Sequence, residues 1–142
     1  MARGWKRLTS VYVTDTHALL WHLSKDPALS VLAAGLSRQA DAGVIEIVIP
    51  SIVLVEVIYL CERQRVPDDQ INRILTLPGM PGSRYRVVPL DEPVVQALRR
   101  IPRDQVPDMP DRIIGAMALC LSLPLITRDS KLVGCGLLTC VW

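Results

Sequence analysis

Short β-branched runs alternate with stretches of helical spacing along this chain, and that alternation limits the fold more than any other feature. Val11–Thr14, Val44–Ile49, Tyr85–Leu90 and Leu123–Thr127 have the length and composition of strands, and Leu137–Trp142 is a fifth candidate. Between the first two, Thr16–Leu23 carries Leu19, Leu20 and Leu23 at helical spacing, and Ser30 precedes a second helix that Gly43 stops. Ser51 is placed to cap a long helix reaching the neighbourhood of Gln64, and Asp68–Leu77 is amphipathic through Ile71, Ile74 and Leu75. Asp91-Glu92-Pro93 opens a helix with Val94, Leu98 and Ile101 on one stripe, and Asp111–Ser122 is apolar nearly all round. Pro78–Gly82 and Pro102–Pro110 read as loops. Strands separated by helices imply an α/β fold with a mainly parallel sheet.

Composition supports such a sheet and bounds the partners. Hydrophobic residues make up 50% of the chain, yet aromatics are only 4% and Phe is absent. The core is therefore expected to be Val, Ile, Leu and Ala, which suits strands buried on both faces. A net charge of +2 permits a nucleic-acid partner without predicting one, because the pI near 8.4 lies below the value of about 9 that usually marks such domains. Cys61 and Cys120 fall in apolar helical runs and are expected to be buried thiols. No cysteine pair has zinc-knuckle spacing, so a reducing, cytoplasmic compartment is expected. The basic start, Met1–Leu8, is not read as a leader, since Asp15 and His17 interrupt the apolar stretch that follows. The longest uncharged run, Ile113–Thr127, contains Pro124 and is shorter than the ~18 residues of a membrane span. No membrane attachment is expected.

Four acids sit where acids are awkward. Asp15 ends the first strand, where it can cap the helix that follows or face a ligand beyond the carboxyl end of the sheet. Glu56 lies in Ile52-Val53-Leu54-Val55-Glu56-Val57-Ile58, a segment otherwise apolar; burying its charge needs a partner. Asp108 and Asp111 flank a helix start, Asp108 as its expected cap and Asp111 in the first turn, where the helix dipole favours an acid. Asp129 follows the fourth strand and reads as a turn residue or as a second strand-end acid, with the Thr127 hydroxyl in reach to support it. Asp91 is assigned to capping, and Asp41, Glu46, Glu62 and Asp104 to the surface. Taken together, Asp15, Glu56, Asp111 and Asp129 would repel one another unless a cation neutralised them. An all-oxygen donor set favours Mg²⁺ or Mn²⁺ over zinc. His17 is expected to point elsewhere and Trp21 to be core.

Asp15-Thr16-His17-Ala18-Leu19-Leu20-Trp21, Pro50-Ser51-Ile52 running to Glu56, Asp108-Met109-Pro110-Asp111-Arg112-Ile113-Ile114-Gly115-Ala116 and Leu125-Ile126-Thr127-Arg128-Asp129 resemble, in this order and spacing, the PIN-domain ribonucleases, and most of all the VapC-like toxins of type II toxin–antitoxin pairs. The resemblance runs from Val11 to the C-terminus. It implies a three-layer α/β/α domain over residues 11–142 with a parallel sheet of about five strands, and leaves residues 1–10 as an N-terminal extension. It further implies a Mg²⁺- or Mn²⁺-dependent endoribonuclease, a homodimer, restrained by a cognate antitoxin. By motif, Asp15, Glu56, Asp111 and Asp129 are the acidic quartet that binds metal and cleaves RNA through metal-activated water. Thr127, Ser51 and Asp108 support it. Arg112 and Arg128 adjoin acidic positions and are expected to contact RNA phosphates, with Arg99, Arg100 and Arg103 extending the track. The strand ending at Asp15 is expected at the centre of the sheet.

Three alternatives draw on the same residues. An aspartyl-phosphate enzyme also gathers acids at strand ends, but Thr16-His17 follows Asp15 in place of an Asp-x-Asp pair, and Lys131 falls in a turn. A PIN-like scaffold that binds RNA or protein without cutting, or an RNA-maturation nuclease that is not a toxin, would share the fold. Scaffolds of that kind usually lack one of the four acids, and all four are present here.

Overall fold

A computed structural model describes residues 10–142; the expected N-terminal extension falls, but for Ser10, outside the described residues. Five strands form one parallel sheet: β1 (Val11–Thr14), β2 (Glu46–Pro50), β3 (Tyr85–Val88), β4 (Leu125–Ile126) and β5 (Cys140–Val141), in the order β3-β2-β1-β4-β5. β1 is central, as expected. Its register sets Val13 against Val48 of β2 and against Leu125 of β4. Ile47, Val48 and Ile49 are successive residues, so their side chains alternate between the two faces of the sheet, yet all are buried. Helices must therefore cover both faces, the third layer completing an α/β/α arrangement.

Seven α-helices are seen among the described residues. They are α1 (Thr16–Ser24), α2 (Val31–Asp41), α3 (Ser51–Glu62), α4 (Asp68–Thr76), α5 (Glu92–Leu98), α6 (Met109–Leu121) and α7 (Ser130–Gly134). Local chemistry sets their ends. Ser30 Oγ accepts from Ala33 N at the start of α2 (3.0 Å), and Gly43 takes a positive φ of 78° just past its end, where a side chain would be strained. Asp108 accepts from Asp111 N (3.1 Å) to cap α6, with Pro110 in the first turn, where its missing N–H costs nothing. Ser51 departs from its expected role. It is the first residue of α3, Pro50 precedes it without a side-chain cap, and its hydroxyl accepts from Leu90 N (3.0 Å). It ties the exit of β3 to α3 instead of capping a helix.

Other boundaries shift for similar reasons. Val44 is not in β2, because its N–H closes the end of α2 on Gln39 O (2.8 Å). α5 stops at Leu98 and Ile101 is reached through a turn, although Ile101 is fully buried, as its stripe predicts. The short helix α7 was not expected; Asp129 starts it by accepting from Lys131 N and Leu132 N (2.9 and 3.1 Å). Cys61 and Cys120 are half-exposed rather than buried. No helix among the described residues is long and apolar enough to cross a membrane.

The chain winds outward from β1 through β2 to the edge strand β3, then crosses to β4 on the other side of β1 and ends at β5. Connections therefore diverge from the neighbouring strands β1 and β4. In an open parallel sheet the crevice beyond the carboxyl ends of such a pair is where ligands bind. Packing holds that crevice in shape. A Cβ on Gly115 of α6 would lie 3.0 Å from Ile101 Cδ1 and from Leu132 Cδ2, so any side chain here would have to push both neighbours aside. Gly115→Val is expected to lower stability by about 1–3 kcal/mol through overpacking, read as a lower urea midpoint with an unchanged denaturant slope.

Candidate active site

Asp15 closes β1 and opens α1. Its N–H donates to Ile126 O of β4 (3.2 Å), and its carboxylate accepts from Ala18 N (2.8 Å). The cap and the strand-end position are thus one residue. Thr127, fully buried, supports both strand-end acids: its hydroxyl hydrogen-bonds the Asp15 carboxylate and accepts from Asp129 N (3.0 Å). The expected supporting role of Thr127 therefore has a geometric basis.

Asp15, Asp111 and Asp129 line one cavity of about 270 Å³, together with Thr16, His17, Trp21, Arg128 and Trp142. Glu56 reaches this group through Thr16, whose hydroxyl donates to Glu56 Oε1. Asp108 stands beside Asp111 at the mouth of α6 and is exposed.

The cleft is electrostatically under strain. Burial raises the Asp15 pKa, and Asp129 adds to the rise, while the hydrogen bonds from Thr127 and Ala18 and the nearby His17 oppose it. Burial likewise raises Glu56, opposed by Thr16 and reinforced by Asp108 and Asp15. Asp111 is pushed up to about 7 by burial and then by the charges of Asp108, Asp129 and Glu56. Each of these carboxylates is thus held away from its ordinary value by lost solvation and by its neighbours. Among the described residues the ion pairs are His22–Asp41 and Arg86–Glu46, so none of the four acids has a cationic partner. No group of three or more His, Cys, Asp or Glu side chains among the described residues is arranged to grip a metal ion as it stands. Carboxylates crowded in this way repel, and Thr16 and backbone N–H groups offset part of that cost. The donor set is all oxygen and negatively charged, and it fits a hard divalent cation such as Mg²⁺ or Mn²⁺ better than a softer metal.

Several residues lie elsewhere than expected. The Arg112 guanidinium turns away from the cleft, donating from Nε to Ile101 O (2.9 Å) and from Nη2 to Leu98 O (3.2 Å). It ties α6 to carbonyls at and just past the end of α5, and its adjacency to Asp111 in sequence reflects a helical neighbour pointing to the other side. Arg99, Arg100 and Arg103 are exposed and line none of this cavity. Arg128 does line it, with Cζ 4.4 Å from the Trp21 ring centroid. Four cleft residues were missed, the first of them Thr16, which holds Glu56. His17 and Trp21 line the cavity instead of pointing elsewhere or filling the core, and Trp142 meets Trp21 edge-on at 6.0 Å. Residues 16–17 begin the helix that leaves the β1 end, which was a usable signal; Trp142 was not readable, since only β5 pairing beside β4 brings the C-terminus to Asp129.

The family model described as PIN domain matches residues 12–134. The chain belongs to the PIN-domain family. Solved structures with this PIN fold include VapBC2 from Rickettsia felis bound to a DNA fragment from its promoter, at 17% identity over 92% of this chain and 97% of that one, with a TM-score of 0.68. VapBC-1 from nontypeable Haemophilus influenzae is 19% identical over 92% of this chain and 96% of that one, with a TM-score of 0.66. FitAcB from Neisseria gonorrhoeae is 18% identical over the same shares, with a TM-score of 0.64. No curated protein matches the chain.

The raised carboxylates give the PIN domain a characteristic pH response. Their protonated forms are favoured in the folded state, so the stability they contribute is fully present below the unfolded value of about 4 and is lost as pH rises through the folded values, about 7 for Asp111. In EDTA, Tm is expected to fall between about pH 4 and about pH 8, and Asp111→Asn to flatten that fall and raise Tm at the alkaline end. A Tm that climbs over this window would contradict the assignment. Arg112→Ala is expected to lower Tm without changing affinity for RNA, measured by anisotropy of a labelled strand.

Proposed function

We propose that this PIN domain, spanning residues 11–142, is an endoribonuclease that uses Mg²⁺ or Mn²⁺, and that it is the VapC-like toxin of a toxin–antitoxin pair. The observation that carries the reading is the cleft itself: Asp15, Glu56 and Asp111 are all raised in pKa, Asp129 stands among them, and among the described residues none of the four forms an ion pair. A cleft so short of positive charge at the switch point of a parallel sheet is suited to a cation and a phosphodiester. When bound there, a divalent cation would acidify water and offset charge on the phosphate.

The chain's own groups prepare that site. Asp15 and Asp129 are fixed at the ends of neighbouring strands by Thr127, and are the groups best placed to hold a cation, with Asp111 and Glu56 completing the set. Thr16 keeps Glu56 turned toward the others. Arg128, at the rim, can hold a phosphate oxygen of the substrate. Attack by water leaves 5′-phosphate and 3′-hydroxyl ends, whereas attack by the RNA 2′-hydroxyl leaves a cyclic phosphate.

The similar structures named VapBC and FitAcB favour an antitoxin partner for this chain; the same reading takes the toxin to be a homodimer that works in the cytoplasm. Purified protein is expected to cleave total RNA only with Mg²⁺ or Mn²⁺ present, leaving 5′-phosphate ends. Asp15→Asn should lower the rate by at least about a hundredfold, the scale on which loss of a group acting on the reacting centre is usually felt. Equal activity in the two chains, or cyclic phosphate ends, would overturn the proposal.

A further inference from the structure

Arg128 lines the same cavity as Asp15, Asp111 and Asp129. It is exposed, and Asp129 follows it in the chain. A guanidinium beside three carboxylates would ordinarily close on them, because its planar fork matches a carboxylate with two parallel hydrogen bonds. Yet among the described residues Arg128 forms no ion pair. Its Cζ lies instead 4.4 Å from the centroid of the Trp21 ring, within the distance at which an aromatic face attracts a cation.

Three elements hold that ring and that arginine in place. Asp15 caps α1 by accepting from Ala18 N. The helix then sets His17 and Trp21, four residues apart, on one face, and both line the cleft. β5, paired beside β4, brings Trp142 edge-on to Trp21 at 6.0 Å between centroids, and His17 lies tilted against the ring at 5.4 Å. Arg128 leaves the sheet directly after Thr127, whose N–H donates to Val141 O (3.2 Å) and whose hydroxyl accepts from Asp129 N (3.0 Å). Ring and arginine are therefore each fixed at the backbone, and the contact between them decides where the guanidinium rests. We propose that Trp21 is a positioning residue: its face holds the Arg128 guanidinium off the acidic cluster, so that the carboxylates stay open to a divalent cation. An arginine paired with these acids would compete with the cation for the same oxygens. Resting on a ring, a guanidinium keeps its N–H groups free, because they lie in its plane and point outward. That posture suits the phosphate contact given to Arg128 above. The inference deepens the nuclease reading and rests on it for the cation.

The test is Mn²⁺ binding by the full chain at neutral pH without RNA, read from the electron paramagnetic resonance signal of the free ion. Trp21→Leu keeps apolar bulk and removes the aromatic face. It is expected to weaken Mn²⁺ binding about fivefold, as the released Arg128 pairs with the acids. Trp21→Phe is expected to stay within about twofold of the wild-type chain. Trp21→Leu combined with Arg128→Ala is expected to regain wild-type affinity, a rescue that a purely structural loss at Trp21 does not allow. Equal affinity in the wild-type and Trp21→Leu chains, or a double variant as weak as Trp21→Leu, rules the inference out. Should Trp21→Leu fail to fold by circular dichroism, the wild-type chain decides by NMR. An Arg128 Nε–H proton shifted upfield by the Trp21 ring current supports the inference, and an unshifted one overturns it. Mn²⁺-dependent RNA cleavage with Mn²⁺ affinity indifferent to Trp21 leaves the nuclease standing and removes the role of Trp21. The expected binding pattern in a chain that never cleaves RNA does the reverse, and a wild-type chain that binds no Mn²⁺ removes both.

Discussion

The N–H of Asp15 donates to the carbonyl of Ile126, and on that last rung between β1 and β4 the rest of the site depends. It places one acid at the end of the central strand and starts the turn that carries another, Asp129, three residues after its partner. Thr127 sits between them, buried, with one hydroxyl serving both. Parallel pairing makes this possible, since both strands end on the same side of the sheet.

What this rung brings together would not stay together on electrostatic grounds alone. Burial and mutual repulsion raise three of the carboxylates, a cost the fold carries because it is rigidly packed beneath them. The apolar strands β1, β2 and β4 are buried on both faces, and α6 lies against α7 through a glycine whose place a larger residue would crowd. Stability made in the core supports strain at the carboxyl end. Strain of this kind, desolvated acids without basic partners, is the usual mark of a site shaped for a charged ligand.

Much of this was legible in the linear chain. Alternating strand and helix signals predicted the parallel sheet, and the need for the other acids to converge on Asp15 predicted the strand at its centre. Asp15, Asp108 and Asp129 could be picked out because each stands at a boundary between elements, where backbone chemistry selects acids. Glu56 could be picked out for the opposite reason, as one charge in an apolar helix. Arg112 shows the limit of that approach: it neighbours Asp111 in sequence, yet it faces the carbonyls that end α5, because successive residues on a helix point about 100° apart. Ser51 shows the same limit, its hydroxyl taken by Leu90 N, 39 residues away and just past β3.

By itself the sequence determined the element order, the aliphatic core and the acids at strand and helix ends, because these follow from spacing and from local backbone chemistry. Tertiary structure alone decided which side chains share the cleft. Trp142 reaches it only because β5 pairs beside β4, and Trp21 is a cleft wall only because α1 leaves the sheet at that end. Such meetings depend on strand order and helix packing, and these are settled by contacts between residues far apart in the chain, which local spacing does not record.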